Sequence, residues 1–189
     1  MAQRIFIVRH GETEWSANGR HTGRTDLPLT QTGRGQAEHL PALLGGRSYS
    51  LVLVSPLRRA RETCELAGFG DVAQVTEDLH EWDYGDYEGL TTPQIREQNP
   101  DWNLWQEGCP GGESPAEIGA RVDRVLERFS AIEGDGLAFA HGHVLRVLTA
   151  RWLQMEVAAG ARFALAAAGL SVLGHERETE VIERWNVTR

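Results

Sequence analysis

Three short apolar runs constrain this chain more than anything else in it. Ile5-Phe6-Ile7-Val8, Leu51-Val52-Leu53-Val54 and Leu137-Ala138-Phe139-Ala140 are continuous rather than alternating, and each stops abruptly: at Arg9-His10-Gly11, at Ser55-Pro56 and at His141-Gly142. Uninterrupted apolarity over four residues is the mark of a strand covered on both faces, as in an α/β sheet. In such sheets the ligand crevice lies beyond the carboxyl ends of the strands, where these polar residues fall.

The segments between the runs carry helical signals. Thr30 to Leu44 has Ala37, Leu40, Leu43 and Leu44 at helical spacing before Gly45-Gly46. Pro56 at a first helical position leads into Leu57 to Leu66, ended by Gly68. Ser114-Pro115-Ala116-Glu117 is a capping box that opens a helix through about Phe129, with Ile118, Val122, Val125, Leu126 and Phe129 at the helical period. A further helix is expected over His143 to Leu153. Ser171 to Leu173 and Thr179 to Trp185 alternate around turn residues and predict a closing hairpin. Residues 77–112 are rich in Trp, Gly, Pro and acid and are expected to form an irregular lid or wall over a substrate. Without a repeat, linker or low-complexity stretch, residues 1–189 are expected to form one domain.

Composition narrows the function. The 19 basic residues are all arginine, so a lysine Schiff base, a phosphate-loop lysine and a lysine general base are excluded. Any anion must be held by arginine, histidine or backbone amides, and the planar guanidinium fork suits phosphate oxygens. A net charge of −8 disfavours a nucleic-acid partner. No apolar run is long enough to span a membrane. Cys64 and Cys109 are too few and too far apart for a disulfide scaffold, so a reducing cytoplasm is the expected compartment.

Four clusters can carry chemistry. Arg9-His10-Gly11-Glu12-Thr13 puts an imidazole at the tip of the first strand, where it can act as a nucleophile beside an arginine. Ser55 to Thr63 opens a helix, whose N-terminus favours anions, and carries Arg58, Arg59 and Arg61. In His141-Gly142-His143, His141 sits on the strand end, and His143 is read as a helix-start histidine with a local hydrogen bond; no metal-ligand partner set accompanies the pair. Finally, Leu79 to Gly89 holds Glu81, Asp83, Asp86 and Glu88 beside Trp82, and a carboxyl whose pKa is raised there by burial can protonate a leaving alkoxide. The residues alone do not choose among these four acids.

In this order and over nearly the whole chain, the motifs resemble the histidine phosphatase superfamily, the phosphoglycerate mutase-like proteins. The resemblance implies a three-layer α/β/α sandwich with a mostly parallel central sheet, flanking helices and a C-terminal antiparallel hairpin. It implies that His10 is phosphorylated, that Arg9, Arg59 and His141 complete the phosphate pocket, and that Glu81 is the proton donor; in the mechanism expected from these roles His141 is protonated. Arg59 is picked because it stands immediately before Ala-x-x-Thr, and Glu81 because it lies in Leu-x-Glu-x-x-Tyr-Gly. The substrate-side loop matches Arg20-His21-Thr22-Gly23, so His21, Thr22, Gly23, Trp82 and Gly142 are expected to bind substrate or phosphate. Ser16 stands where many members carry asparagine, and its hydroxyl can still bond phosphate.

The family's cofactor-dependent mutases carry a long basic insertion after the acid; here that segment is acidic and aromatic, and Trp82 follows Glu81. The resemblance therefore implies hydrolysis by a metal- and cofactor-independent phosphomonoesterase of a small phosphorylated metabolite, a sugar phosphate or bisphosphate. The similarity is to the branch that includes sedoheptulose-1,7-bisphosphatase and broad-range acid phosphatases. The alternatives are a mutase-type isomerase and a phosphohistidine-protein phosphatase, and the expected assembly is a monomer or homodimer.

Overall fold

The computed structural model describes residues 3–188. Its elements run β1 (Ile5–Arg9), α1 (Glu14–Ala17), α2 (Gln31–Glu38), α3 (Leu40–Leu44), β2 (Leu51–Val54), α4 (Arg58–Leu66), β3 (Gln74–Val75), α5 (Thr92–Gln98), α6 (Leu104–Glu107), α7 (Pro115–Ser130), β4 (Gly136–Ala140), α8 (Gly142–Trp152), β5 (Leu170–Glu176) and β6 (Thr179–Val187). The strands form one sheet in the order β3-β2-β4-β1-β5-β6. β1, β2, β3 and β4 pair in parallel, and β5 and β6 complete the sheet as an antiparallel hairpin.

The continuous apolar runs divide their side chains between two cores, because successive strand residues point to opposite faces. Ile5, Ile7, Leu53, Ala138 and Ala140 pack on one side with Val122, Val125 and Phe129 of α7 and Val144 and Leu148 of α8. Phe6, Val8, Val52, Val54, Leu137 and Phe139 pack on the other with Ala37, Leu40 and Leu44 of α2 and α3, and Ala60 and Cys64 of α4. The result is a three-layer α/β/α sandwich. Among the described residues, no helix is long and apolar enough to cross a membrane.

The register sets the site. Arg9 pairs with Ala140 and Val54 with Phe139, so β1, β4 and β2 end side by side. The next residue of each strand continues the ladder: His10 N–H donates to Ala140 O at 2.9 Å and Ser55 N–H to Phe139 O at 3.0 Å. His10, Ser55 and His141 are thereby gathered at one edge.

Several boundaries differ from the sequence expectation. The helix expected over 30–44 breaks at His39: Pro41 has no N–H to donate to Ala37 O four residues back, and α3 starts afresh with Pro41 in its first turn; Gly45 then ends α3 at φ 67°. α4 begins at Arg58 with Leu57 as its cap, so Pro56 lies ahead of the helix rather than at its first position. Residues 77–112 are not wholly irregular: they hold α5, α6 and two single 3₁₀ turns, and they send Trp82, Tyr84, Ile95, Trp102 and Leu104 into the core. The capping box at Ser114 and Glu117 forms as expected and opens α7.

α2 approaches the turn after β1 closely enough to require glycine. A Cβ on Gly33 would fall well inside van der Waals contact of Glu12 O, whereas one on Gly35, two positions along, meets nothing within 4 Å. Gly33→Ala should destabilise the fold by about 1–3 kcal/mol through this overlap. Gly35→Ala should stabilise it by roughly 0.5–1 kcal/mol by removing helix-interior glycine. Denaturant midpoints at unchanged slope test the pair; similar shifts for both would contradict this packing.

Candidate active site

A cleft of about 170 Å³ opens at the carboxyl ends of β1 and β4, with Arg9, His10, Glu81, Gly142 and His143 on its wall. His10 is 4% exposed. Its Nδ1 lies 2.7 Å from Gly11 O, an acceptor only, so Nδ1 carries the proton and Nε2 keeps a free lone pair. Burial, then the guanidinium groups of Arg59 and Arg9, hold its pKa well below the ordinary histidine value, so the ring is neutral.

Arg9 supplies the complementary charge. One arm donates to Leu165 O at 2.5 Å, but its buried Nε has no hydrogen-bond partner. A buried donor left unmade is costly unless something visits it. A Cβ placed on Gly142 would stand 3.4 Å from that Nε and 3.6 Å from Glu81 Oε2, so glycine there keeps the space between cation and carboxylate open.

Arg59 and His141 lie behind the wall. Arg59 is fully buried; its Nε donates to His141 Nδ1 at 3.0 Å, and its arms donate to Thr25 O, Thr22 O and Gly23 O at 2.9, 3.1 and 3.0 Å. The two histidine rings are 5.1 Å apart. The expectation of a protonated His141 is corrected here. A guanidinium N–H only donates, so Nδ1 accepts and the proton sits on Nε2, which faces Ser55 Oγ at 2.7 Å. Burial, and next the charge of Arg59, push its pKa well below the usual histidine value.

Glu81 brings a second correction. Burial alone pushes its pKa up, as expected, but the surrounding donors outweigh burial and hold the carboxyl below the usual carboxylate range. Oε1 accepts from Trp82 N–H at 2.9 Å and Val144 N–H at 2.8 Å, and Oε2 from His143 N–H at 2.9 Å, with the His143 ring 3.7 Å away. The carboxylate thus sits on the amides that open α8, where a helix favours negative charge. The anion site expected at the start of α4 is taken instead by the Asp26 carboxylate, which accepts from Arg58 N–H at 2.7 Å.

The remaining expected residues divide. His21, Thr22, Ser16 and Gly142 line the cleft. The Ser16 hydroxyl is committed to the Thr13 capping box, and burial followed by the His143 ring pushes the pKa of His21 down to about 4. Gly23 and Trp82 do not reach the wall. The Gly23 amide donates to the Glu88 carboxylate at 2.9 Å, and Trp82 is fully buried with Nε1 donating to Glu113 O. Sequence reasoning also set aside His143, which lines the cleft and shares a 2.7 Å hydrogen bond with Tyr84, and it did not single out Tyr84 or Arg146. The spacing of His143 and Arg146 along α8, one helical turn, is the signal that could have found the pair.

A histidine with one free ring nitrogen, a guanidinium whose Nε has no partner and a carboxylate, in a crevice at strand carboxyl ends, make an arrangement suited to phosphoryl transfer through imidazole. The chain belongs to the histidine phosphatase superfamily (branch 1), whose profile matches residues 5–188, and it is a phosphatase of that superfamily. It is 49% identical over 179 residues to an acid phosphatase of Mycobacterium tuberculosis, covering 92% of this chain and 87% of that one. It is 37% identical over 189 residues to the sedoheptulose 1,7-bisphosphatase of Saccharomyces cerevisiae, covering 83% and 70%. The solved structure of a mycobacterial glucosyl-3-phosphoglycerate phosphatase with VO3 superposes at a TM-score of 0.86 with 30% identity, covering 98% of this chain and all of that one.

A neutral His10 has a direct consequence for pH dependence. Because its folded pKa is depressed, the ring stays deprotonated as pH falls through 6.5, and kcat/KM on a phosphate ester should hold there. A pH profile with an acid limb centred near 6.5 would show an ordinary histidine instead.

Proposed function

We propose that this protein is a metal-independent phosphomonoesterase that hydrolyses a small phosphorylated metabolite, a sugar phosphate or bisphosphate, through a phosphohistidine at His10. The observation that carries the reading is the 2.7 Å contact of His10 Nδ1 with Gly11 O, which leaves Nε2 unprotonated at the cleft wall beside the unpartnered Arg9 Nε.

Nε2 attacks phosphorus and the bond to the leaving oxygen breaks. Arg9 binds an equatorial oxygen, and the fixed positive charge of Arg59 behind it opposes the charge that develops, which supplies electrostatically what a divalent cation supplies elsewhere. His141, neutral with its proton on Nε2, can donate a hydrogen bond to the phosphoryl group in exchange for Ser55. Glu81 is ionised in the empty cleft, and a phosphate group entering beside it pushes its pKa back up. A substrate bound as the monoanion brings the required proton with it, since the second phosphate pKa is about 6. Glu81 passes this proton to the leaving alkoxide. As a carboxylate again, it takes a proton from the water that cleaves the phosphorus–nitrogen bond, releasing phosphate and restoring His10.

The wall formed from residues 77–112 favours a small substrate: Glu81 and Tyr84 face the cleft while Trp82, Trp102 and Leu104 anchor the segment in the core. The acidic and aromatic character of that segment supports release of phosphate to water over its return to another hydroxyl.

Glu81→Gln tests the proton-donor role. It should lower kcat/KM, which runs only to release of the leaving group and leaves out the later attack of water, by about 10²–10⁴-fold on an alkyl phosphate, the usual scale of general acid catalysis, and far less on 4-nitrophenyl phosphate, whose leaving group needs no proton. Equal losses on the two esters would contradict the role.

A further inference from the structure

Glu81 sits on a stretch of chain with no strand or helix to hold its backbone, and a single side chain does that work. Arg121 of α7 is 6% exposed, and all five of its N–H groups are spent. Nη1 donates to Asp78 O at 2.9 Å and His80 O at 2.7 Å, and Nη2 to Glu81 O at 3.1 Å. The other edge of the fork grips Glu113, Nε to Oε1 at 2.6 Å and Nη2 to Oε2 at 2.8 Å. Glu113 extends the grip: Oε2 accepts from Asp83 N–H, its main-chain N–H donates to Asp83 O, and its main-chain carbonyl accepts from Trp82 Nε1, all at 2.9 Å. The backbone of Asp78, His80, Glu81 and Asp83, four of these six residues, is therefore bonded to one largely buried ion pair.

We propose that Arg121, held by Glu113, is a positioning residue for the proton-transfer step: it fixes the main chain of residue 81 so that the Glu81 carboxylate meets the amides of α8 and faces the leaving oxygen. The inference rests on the proposed role of Glu81. Arg121 touches neither the cleft nor the Glu81 carboxylate; it acts through the peptide of residue 81. A buried ion pair is weak evidence for stability, since its desolvation offsets most of its attraction. Its geometry is what distinguishes this one. Three carbonyls and two carboxylate oxygens surround one planar group, a pattern a lysine with three rotating donors cannot reproduce. Without the guanidinium those carbonyls lose their donors, and the chain is free to shift by the ångström or so that disrupts catalysis.

The test compares Arg121→Lys, Glu113→Gln and Glu81→Gln on two substrates: an alkyl phosphate that the wild-type protein hydrolyses, and 4-nitrophenyl phosphate. For Arg121→Lys, kcat/KM on the alkyl ester should fall on the order of 100-fold, while kcat/KM on 4-nitrophenyl phosphate falls far less, because this ratio excludes the later attack of water that both esters share. Glu113→Gln keeps the side-chain shape, removes the charge that holds the fork, and should show the same selectivity at smaller amplitude. A role confined to folding would scale both substrates together, because it changes only the amount of active protein. Equal losses in Arg121→Lys and Glu113→Gln, with Glu81→Gln still selective, would overturn the positioning role alone. Equal losses in all three would overturn the Glu81 reading and this inference with it.

Discussion

The site depends on how the turn after β1 is held. His10 is clamped through its main chain on both sides, donating to Ala140 O at 2.9 Å and accepting from Ala168 N–H at 3.0 Å. Gly11 turns its carbonyl onto the ring of His10, donates its own N–H to Thr63 Oγ1 at 3.0 Å and lies against the backbone of Gly33. Thr63 is anchored in turn to Arg59 O at 2.7 Å. The tautomer and orientation of the imidazole are thus properties of the backbone around it. In its proposed role as nucleophile, a ring fixed in this way would lose little further freedom on meeting a substrate, which is how proximity lowers a barrier.

Around that turn, low dielectric and fixed donors decide the proton states. Burial among guanidinium groups keeps His10 and His141 neutral, and the His143 side chain, with the main-chain amides around the Glu81 carboxylate, keeps Glu81 ionised. Arginine bears the fixed positive charge throughout, and part of it is already committed: Arg59 is tied into the protein by His141 and three carbonyls, whereas Arg9 keeps an open donor. Arg59 therefore acts as scaffold and charge together, joining the loop of residues 22–25 to the strand end at His141.

Much of this was legible in the chain, and for a physical reason. Strands buried on both faces must be apolar at every position, so β1, β2 and β4 stand out, and the polar residues that end them mark the crevice. The capping box of α7 and the closing hairpin are local signals and formed as expected. What escaped was set by contacts distant in sequence. Nothing near Glu81 shows that its carboxylate would meet N–H groups of residues 143 and 144, so burial beside Trp82 pointed to a raised pKa where the structure lowers it. His143 read as a helix-start residue because its partner Tyr84 lies in another segment. Trp82 read as a substrate contact although it is core, and Arg121 drew no notice on the inner face of an amphipathic helix.

The central claim is that His10 Nε2 carries the phosphoryl group between substrate and water. Acid or alkaline quenching of the protein during turnover of a radiolabelled phosphate ester, followed by peptide mapping, tests it most directly. The account predicts label that survives alkali, is lost in acid and maps to His10, and that is absent from His10→Ala. Label on another residue, or full turnover by His10→Ala, would contradict it.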